Sequence, residues 1–197
     1  MGSQEGTAHL PLAILNPGDF ALLLDPGYPS HMGGVFLASG QIYPMELRAE
    51  NGFLPKFADI PSQVLEQSRM MVLSYPHNPT SAVATLSFFQ EAVEFCLQHN
   101  IVLVHDFPYG DIVFDGSNPP SILQADRQKQ TSIEFFTLSK SYNMGGFRIG
   151  FAVGNAQLVQ ALRQVKAAVD FNQYRGILNG AIAAFQGPQD SVGETVE

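Results

Sequence analysis

One cysteine, ten basic side chains and a low overall charge content set the first limits on this 197-residue chain. The lone thiol, Cys96, cannot close an internal disulfide. It falls in the apolar stretch Phe88 to Leu97, where it reads as a core residue on a helix face, and a reducing cytoplasm fits it. Lys and Arg number 10 against 18 Asp and Glu, a formal net charge of -8, which argues against a sequence-independent grip on nucleic acid or anionic lipid. No apolar run reaches the roughly 20 residues that a membrane-spanning helix needs. Met1-Gly2-Ser3-Gln4-Glu5 has neither the basic start nor the apolar centre of a signal peptide. Small molecules and other proteins are the partners that remain.

What is present is apolar and punctuated. At 45% hydrophobic the chain has material for a sizeable core, and the length is that of one ordinary domain. Apolar, β-rich runs recur at Phe20 to Leu24, Met70 to Ser74, Ile101 to His105, Ile133 to Leu138 and Phe147 to Val153. They are apolar along their length rather than alternating, which predicts strands buried on both faces. One helix is expected from Ser87, where Ser87-Phe88-Phe89-Gln90 has capping-box spacing, to Asn100, with Phe89, Ala92, Val93, Cys96 and Leu97 on one face. A second runs from about Ala156 through Val165, with Leu158, Val159, Leu162 and Val165 inward and Arg163 and Lys166 outward. Helices alternating with buried strands predict a three-layer α/β/α domain around a mostly parallel sheet.

Proline and glycine gather at joints: Asn16-Pro17-Gly18-Asp19, Asp25-Pro26-Gly27-Tyr28-Pro29, Tyr75-Pro76-His77-Asn78-Pro79 and Asn118-Pro119-Pro120. Several of these follow expected strands, and in an open α/β sheet the loops at strand carboxyl ends form the ligand crevice. Ser139-Lys140-Ser141 lies at such an end, between the run Ile133 to Leu138 and Gly145-Gly146. A desolvated lysine there can hold an aldehyde as a Schiff base, although the tripeptide alone also describes a solvated loop lysine. Asp106 ends the apolar run Ile101-Val102-Leu103-Val104-His105. A carboxylate there is expensive unless it meets a cation or strong donors, so it is a candidate partner for a pyridinium nitrogen, with a turn or cap aspartate as the alternative. Tyr109 and Asn78 are placed to hold a ring oxygen, while singly a packing tyrosine and a turn-forming asparagine describe them as well. For a phosphate, Gly2-Ser3-Gln4 at a helix start offers free N–H groups, Thr137 and Ser139 offer hydroxyls, and Arg148 offers a charged fork from the strand after the lysine loop.

The chain closely resembles the class I/II aminotransferases of the aspartate aminotransferase superfamily, particularly the branch of LL-diaminopimelate aminotransferase-like enzymes. The resemblance covers essentially the whole chain and rests on Gly2 to Gly6, Asp25 to Pro29, Asn78-Pro79-Thr80, Asp106 to Tyr109, and Ser139-Lys140-Ser141-Tyr142-Asn143-Met144-Gly145-Gly146-Phe147-Arg148-Ile149-Gly150. It implies the large domain of a pyridoxal-phosphate-dependent transferase across residues 1–197, with a resident pyridoxal 5′-phosphate. Lys140 would be its Schiff-base lysine and proton shuttle, Asp106 the pyridinium partner, Asn78 and Tyr109 the holders of the 3-oxygen, and Tyr28 the stacking ring. Ser3, Gln4, Thr137, Ser139 and Arg148 would gather the phosphate.

The same resemblance implies transamination between an amino acid and a 2-oxo acid, and a homodimer in the full-length parent. Family members are about twice as long. The N-terminal arm and the C-terminal small domain, which supplies the arginine for the substrate α-carboxylate, have no counterpart among residues 1–197, so the chain is expected to be an internal piece of the large domain. Other pyridoxal-phosphate chemistry, such as C–S β-elimination, and a non-catalytic cofactor-binding module stay open as alternatives.

Overall fold

The computed structural model describes residues 1–197 except Asp115, Ser117 and Glu197. Six strands form one sheet: β1 (Phe20–Asp25), β2 (Gln41–Glu46), β3 (Ser68–Leu73), β4 (Val102–Asp106), β5 (Ser132–Thr137) and β6 (Gly150–Gly154). Their order is β2-β1-β3-β4-β5-β6, with every neighbouring pair parallel except β5 and β6. The expected mostly parallel sheet is therefore observed. The order reverses between β1 and β3, which makes the carboxyl end of that junction a topological switch point.

Helices cover both faces and explain why the central strands carry apolar side chains toward both layers. On one face Ala21, Leu23, Met70, Val72, Val104, Ile133 and Phe135 meet α1 (Ser3–Ile14), α2 (Pro29–Leu37) and α7 (Ala156–Val169) through Leu10, Val35, Leu158 and Leu162. On the other, Leu22, Leu24, Met71, Leu73 and Leu103 meet α4 (Leu86–His99) through Phe88, Phe89, Ala92 and Cys96. The short helices α3 (Ser62–Gln67) and α5 (Ile122–Ala125) complete that second layer. Cys96 is buried, as expected of a core thiol, and its burial pushes the thiol's pKa above the ordinary range. After α6 (Leu138–Ser141), the helix α8 (Arg175–Gln186) packs Ala181 against Leu138 and Ile149. The last helix is α9 (Asp190–Glu194).

Several expectations change in detail. Thr85, not Ser87, caps α4: its extended backbone lets Oγ1 accept from the Phe88 N–H at 3.2 Å, whereas Ser87 is already helical. Asn100 closes that helix in the left-handed conformation, as its sequence position suggests. The helix expected from Ala156 runs on to Val169, and Lys166 does not point free into solvent; its ammonium bridges Glu5 of α1 and Asp170, at 2.8 Å each. The run Phe147 to Val153 is a strand only from Gly150 onward. It is an edge strand with one covered face, Phe151 and Val153 standing exposed. The opposite edge, β2, has no counterpart among the apolar runs, because Gln41, Pro44 and Glu46 belong to the half-solvated, proline-tolerant edge position.

Candidate functional site

Six segments converge at the carboxyl edge of the sheet around a cavity of about 300 Å³. All ten residues singled out from the sequence line it: Ser3 and Gln4 from α1, Tyr28 after β1, Asn78 after β3, Asp106 and Tyr109 from the end of β4, Thr137, Ser139 and Lys140 after β5, and Arg148 before β6. The topology accounts for the convergence. Parallel strands deliver their following loops to one edge, and β6, being antiparallel, starts there, with Gly150 opposite Thr137.

Asp106 sits 7% exposed at the end of β4. One carboxylate oxygen, Oδ2, lies 3.1 Å from His31 Nε2, and the other, Oδ1, is buried with no hydrogen-bond partner among the described residues. The cation or strong donor expected beside Asp106 is thus His31, a residue that the sequence motifs do not flag. It lies one turn into α2 from Tyr28, whose ring it meets edge-on at 5.8 Å. A second unforeseen histidine, His77, is 4% exposed and ties two loops together: Nε2 donates to the Pro26 carbonyl at 3.1 Å and Nδ1 accepts from Thr80 Oγ1 at 2.8 Å. Burial lowers its pKa; the Pro26 carbonyl works against that and nearby His31 reinforces it, which favours the neutral imidazole.

The lysine stands on α6, a single turn whose N-cap Thr137 accepts from the Ser139 N–H at 3.1 Å. Lys140 Nζ lies 5.8 Å from the centre of the Tyr109 ring. Its side chain is exposed, so the desolvated lysine expected from the sequence is not found among the described residues: the loops leave the cavity open above it. Tyr28 and Asn78 are exposed on the same rim.

At the other end, Arg148 adopts the left-handed conformation just ahead of β6 rather than lying within a strand. Its Nη1 donates to the Gly145 carbonyl at 2.9 Å and its Nη2 to the Met1 carbonyl at 3.2 Å, which lays the guanidinium across the start of α1. Glycines make this approach possible. A Cβ on Gly2 would stand 2.8 Å from Arg148 Nη2, and one on Gly150 would stand 2.6 Å from the Ser3 nitrogen. The first-turn N–H groups of α1 have no partners within the helix and carry the positive end of its dipole. Beside them, Thr137 Oγ1 donates to Ser139 Oγ at 2.9 Å. The lining of the cavity thus brings together the Asp106 carboxylate and the Arg148 guanidinium beside the start of α1.

A fully buried polar pair braces this edge from behind. His105 Nδ1 and Glu134 Oε1 are 2.7 Å apart, both side chains wholly inaccessible. The remaining acceptor capacity of Glu134 is taken by Ser121 Oγ and the Ile122 N–H. His105 Nε2 meets the backbone of Tyr75, at the head of the loop that carries Asn78.

The family model for aminotransferase class I and II matches residues 1–197. The chain belongs to the class I and II aminotransferase family. It is 45% identical over 194 residues to the LL-diaminopimelate aminotransferase of Moorella thermoacetica and 47% identical over 194 residues to that of Dehalococcoides mccartyi, in each case over 98% of this chain and 50% of the relative. The substrate-bound structure of BacF from Bacillus subtilis superimposes with a TM-score of 0.95 at 40% identity, covering 99% of this chain and 49% of that one. This aminotransferase chain therefore spans about half the length of the relatives it matches. Among the described residues no helix is long and apolar enough to cross a membrane.

Proposed function

We propose that this aminotransferase chain is the cofactor-binding large domain of a pyridoxal-phosphate-dependent transaminase, acting on an amino acid and a 2-oxo acid. The observation that carries the reading is the buried, unpartnered Oδ1 of Asp106 in a cavity that also holds Lys140 and the Arg148–α1 cradle. The residues fit pyridoxal phosphate at each chemically distinct point. A left-over carboxylate acceptor suits a protonated ring nitrogen, a phenol and an amide suit a phenolate oxygen, and a guanidinium over a helix start suits a phosphate dianion. When bound, the cofactor supplies an electron sink for the bond broken at the substrate α-carbon.

The protein's part is binding, orientation and proton transfer. Asp106, fixed by His31, would hold the ring nitrogen through a charge-assisted hydrogen bond that favours its protonated form. Tyr109 and Asn78 would hold the ring through its 3-oxygen, and Tyr28 would pack on it. Ser3, Gln4, Thr137, Ser139 and Arg148 anchor the phosphate, spending binding energy away from the reacting atoms. Lys140, on its one-turn helix, is the covalent anchor; as the free amine it is the general base that takes the substrate α-proton. The openness above Lys140 supports a role for further protein in completing the pocket, either the rest of a longer parent or the second subunit of a homodimer.

The relatives' names make LL-diaminopimelate the first amino donor to try, with 2-oxoglutarate as acceptor. The test is the half-reaction. Chain loaded with pyridoxal phosphate is mixed with LL-diaminopimelate or glutamate, and pyridoxamine phosphate is assayed in the denatured supernatant. Its formation by the parent chain but not by Lys140→Ala supports the reading. Release of pyruvate and sulfide from cysteine-type substrates, without pyridoxamine phosphate, would replace it with β-elimination.

A further inference from the structure

The one-turn helix that carries Lys140 has only four residues, too few to hold a direction by its own hydrogen bonds. Contacts at both of its ends must therefore set where the lysine points. Thr137 caps the start, and Leu138 is buried beneath it, 1% exposed. At the other end Ser141, 4% exposed, donates from its hydroxyl to Asp111 Oδ2 at 2.6 Å. The two residues are 30 positions apart in the chain. Asp111 lies two residues beyond Tyr109, in a turn closed by the Ile112 N–H on the Tyr109 carbonyl at 3.1 Å. One short, charge-assisted hydrogen bond thus joins the loop that presents Tyr109 to the helix that presents Lys140. The 5.8 Å between Lys140 Nζ and the Tyr109 ring lies between those same two segments.

We propose that Ser141 and Asp111 form a positioning latch that fixes the approach of Lys140 to Tyr109, and with it the geometry in which the lysine engages the cavity's ligand. The second half of that statement rests on the reading of Lys140 as the covalent anchor. Neither latch residue lines the cavity. Their effect is on the orientation of Lys140, so anchoring of the phosphate at Arg148 and α1 should not depend on them.

The experiment uses the full 197-residue chain as the parent, with Ser141→Ala, Asp111→Asn, the double variant and Ser141→Thr, which keeps the hydroxyl. Three quantities are measured on each: pyridoxal phosphate affinity by equilibrium dialysis, the initial rate of cyanoborohydride trapping of the cofactor on the Lys140 peptide, and the rate of Lys140 acetylation by a small activated ester without cofactor. The latch predicts trapping slowed by about tenfold in either single variant, from loss of one charge-assisted hydrogen bond and the resulting misorientation. Dialysis affinity should stay within about twofold where the phosphate dominates it, and Lys140 acetylation should rise by about threefold as the lysine leaves the Tyr109 ring. Ser141→Thr should match the parent, and the double variant should be no slower than the worse single one.

Unchanged trapping and acetylation in both single variants would overturn the proposal. So would a parallel fall of trapping, affinity and thermal midpoint, which is the signature of a merely structural contact. If the parent itself shows no trapping at Lys140, the covalent-anchor reading fails, and the cofactor-free acetylation rates still decide whether the latch positions the lysine.

Discussion

Replacing His31 by alanine removes the only hydrogen-bond partner that the Asp106 carboxylate has among the described residues. Both residues are 7% exposed, so water does not freely substitute for the imidazole. A hydrogen bond to a charged group contributes about 1.5–3 kcal/mol, and the edge-on contact with Tyr28 adds roughly 0.5–1 kcal/mol beyond its buried area. His31→Ala is therefore expected to lower the unfolding free energy by about 2–4 kcal/mol. A thermodynamic cycle with Asp106→Asn separates the pair from simple loss of packing. Urea unfolding of the parent, the two single variants and the double variant at pH 7.5 should give a coupling of at least about 1 kcal/mol. Pyridoxal phosphate affinity should fall in His31→Ala as well, because the carboxylate proposed to meet the ring is no longer aimed. A coupling under about 0.5 kcal/mol together with unchanged affinity would refute the argument that His31 positions Asp106.

Three further outcomes follow from the packing. Gly150→Ala puts a Cβ 2.6 Å from both the Phe136 carbonyl oxygen and the Ser3 nitrogen, backbone atoms that cannot swing aside; a loss of about 1–3 kcal/mol and weaker cofactor binding are expected, whereas Gly146→Ala, with nothing within 4 Å, should change neither. Glu134→Ala strands a buried histidine and two donors, and thermal or urea unfolding should register about 3–5 kcal/mol lost. Burial alone would raise the Asp126 carboxyl, but hydrogen bonds from Gln130, Thr131 and Ser132 outweigh it and hold the folded pKa below the ordinary value of about 4. Its stabilising contribution is complete above that ordinary value and is lost as pH falls through the lower folded one. Asp126→Asn should accordingly flatten the acid limb of stability measured from pH 7 down to about 2.

The cavity's outline was legible because its residues sit in short motifs that follow apolar runs, and a parallel sheet gathers such positions without any knowledge of which strands are neighbours. Lys140 after β5, Asp106 at the end of β4 and Asn78 after β3 are brought together by topology alone. What supports them was not legible. His31 and Asp106 are 75 positions apart, and only the packing of α2 over the switch point makes them partners. Glu134 and His105 lay inside runs read as apolar strands, where two polar residues look like blemishes until their side-by-side register in β4 and β5 turns them into a pair. The edge strand β2 was missed for the opposite reason: a strand with one neighbour and a solvated margin tolerates Pro44 and polar ends, so it lacks the continuous apolar signature of the centre. The exposure of Lys140 was missed because a position at a strand end fixes where the lysine lies but not how far neighbouring segments cover it.

The central claim is that this cavity holds pyridoxal phosphate through Lys140, and an absorbance titration tests it most directly. Purified chain is mixed with the cofactor, the spectrum is recorded between 300 and about 500 nm, the range in which such lysine adducts absorb, and the same is done for Lys140→Ala and Asp106→Ala with folding verified by circular dichroism. The account predicts a saturable visible band in the parent, absent in Lys140→Ala and weakened in Asp106→Ala. A folded parent whose spectrum is only that of free cofactor, or a band that survives unchanged in Lys140→Ala, would contradict it.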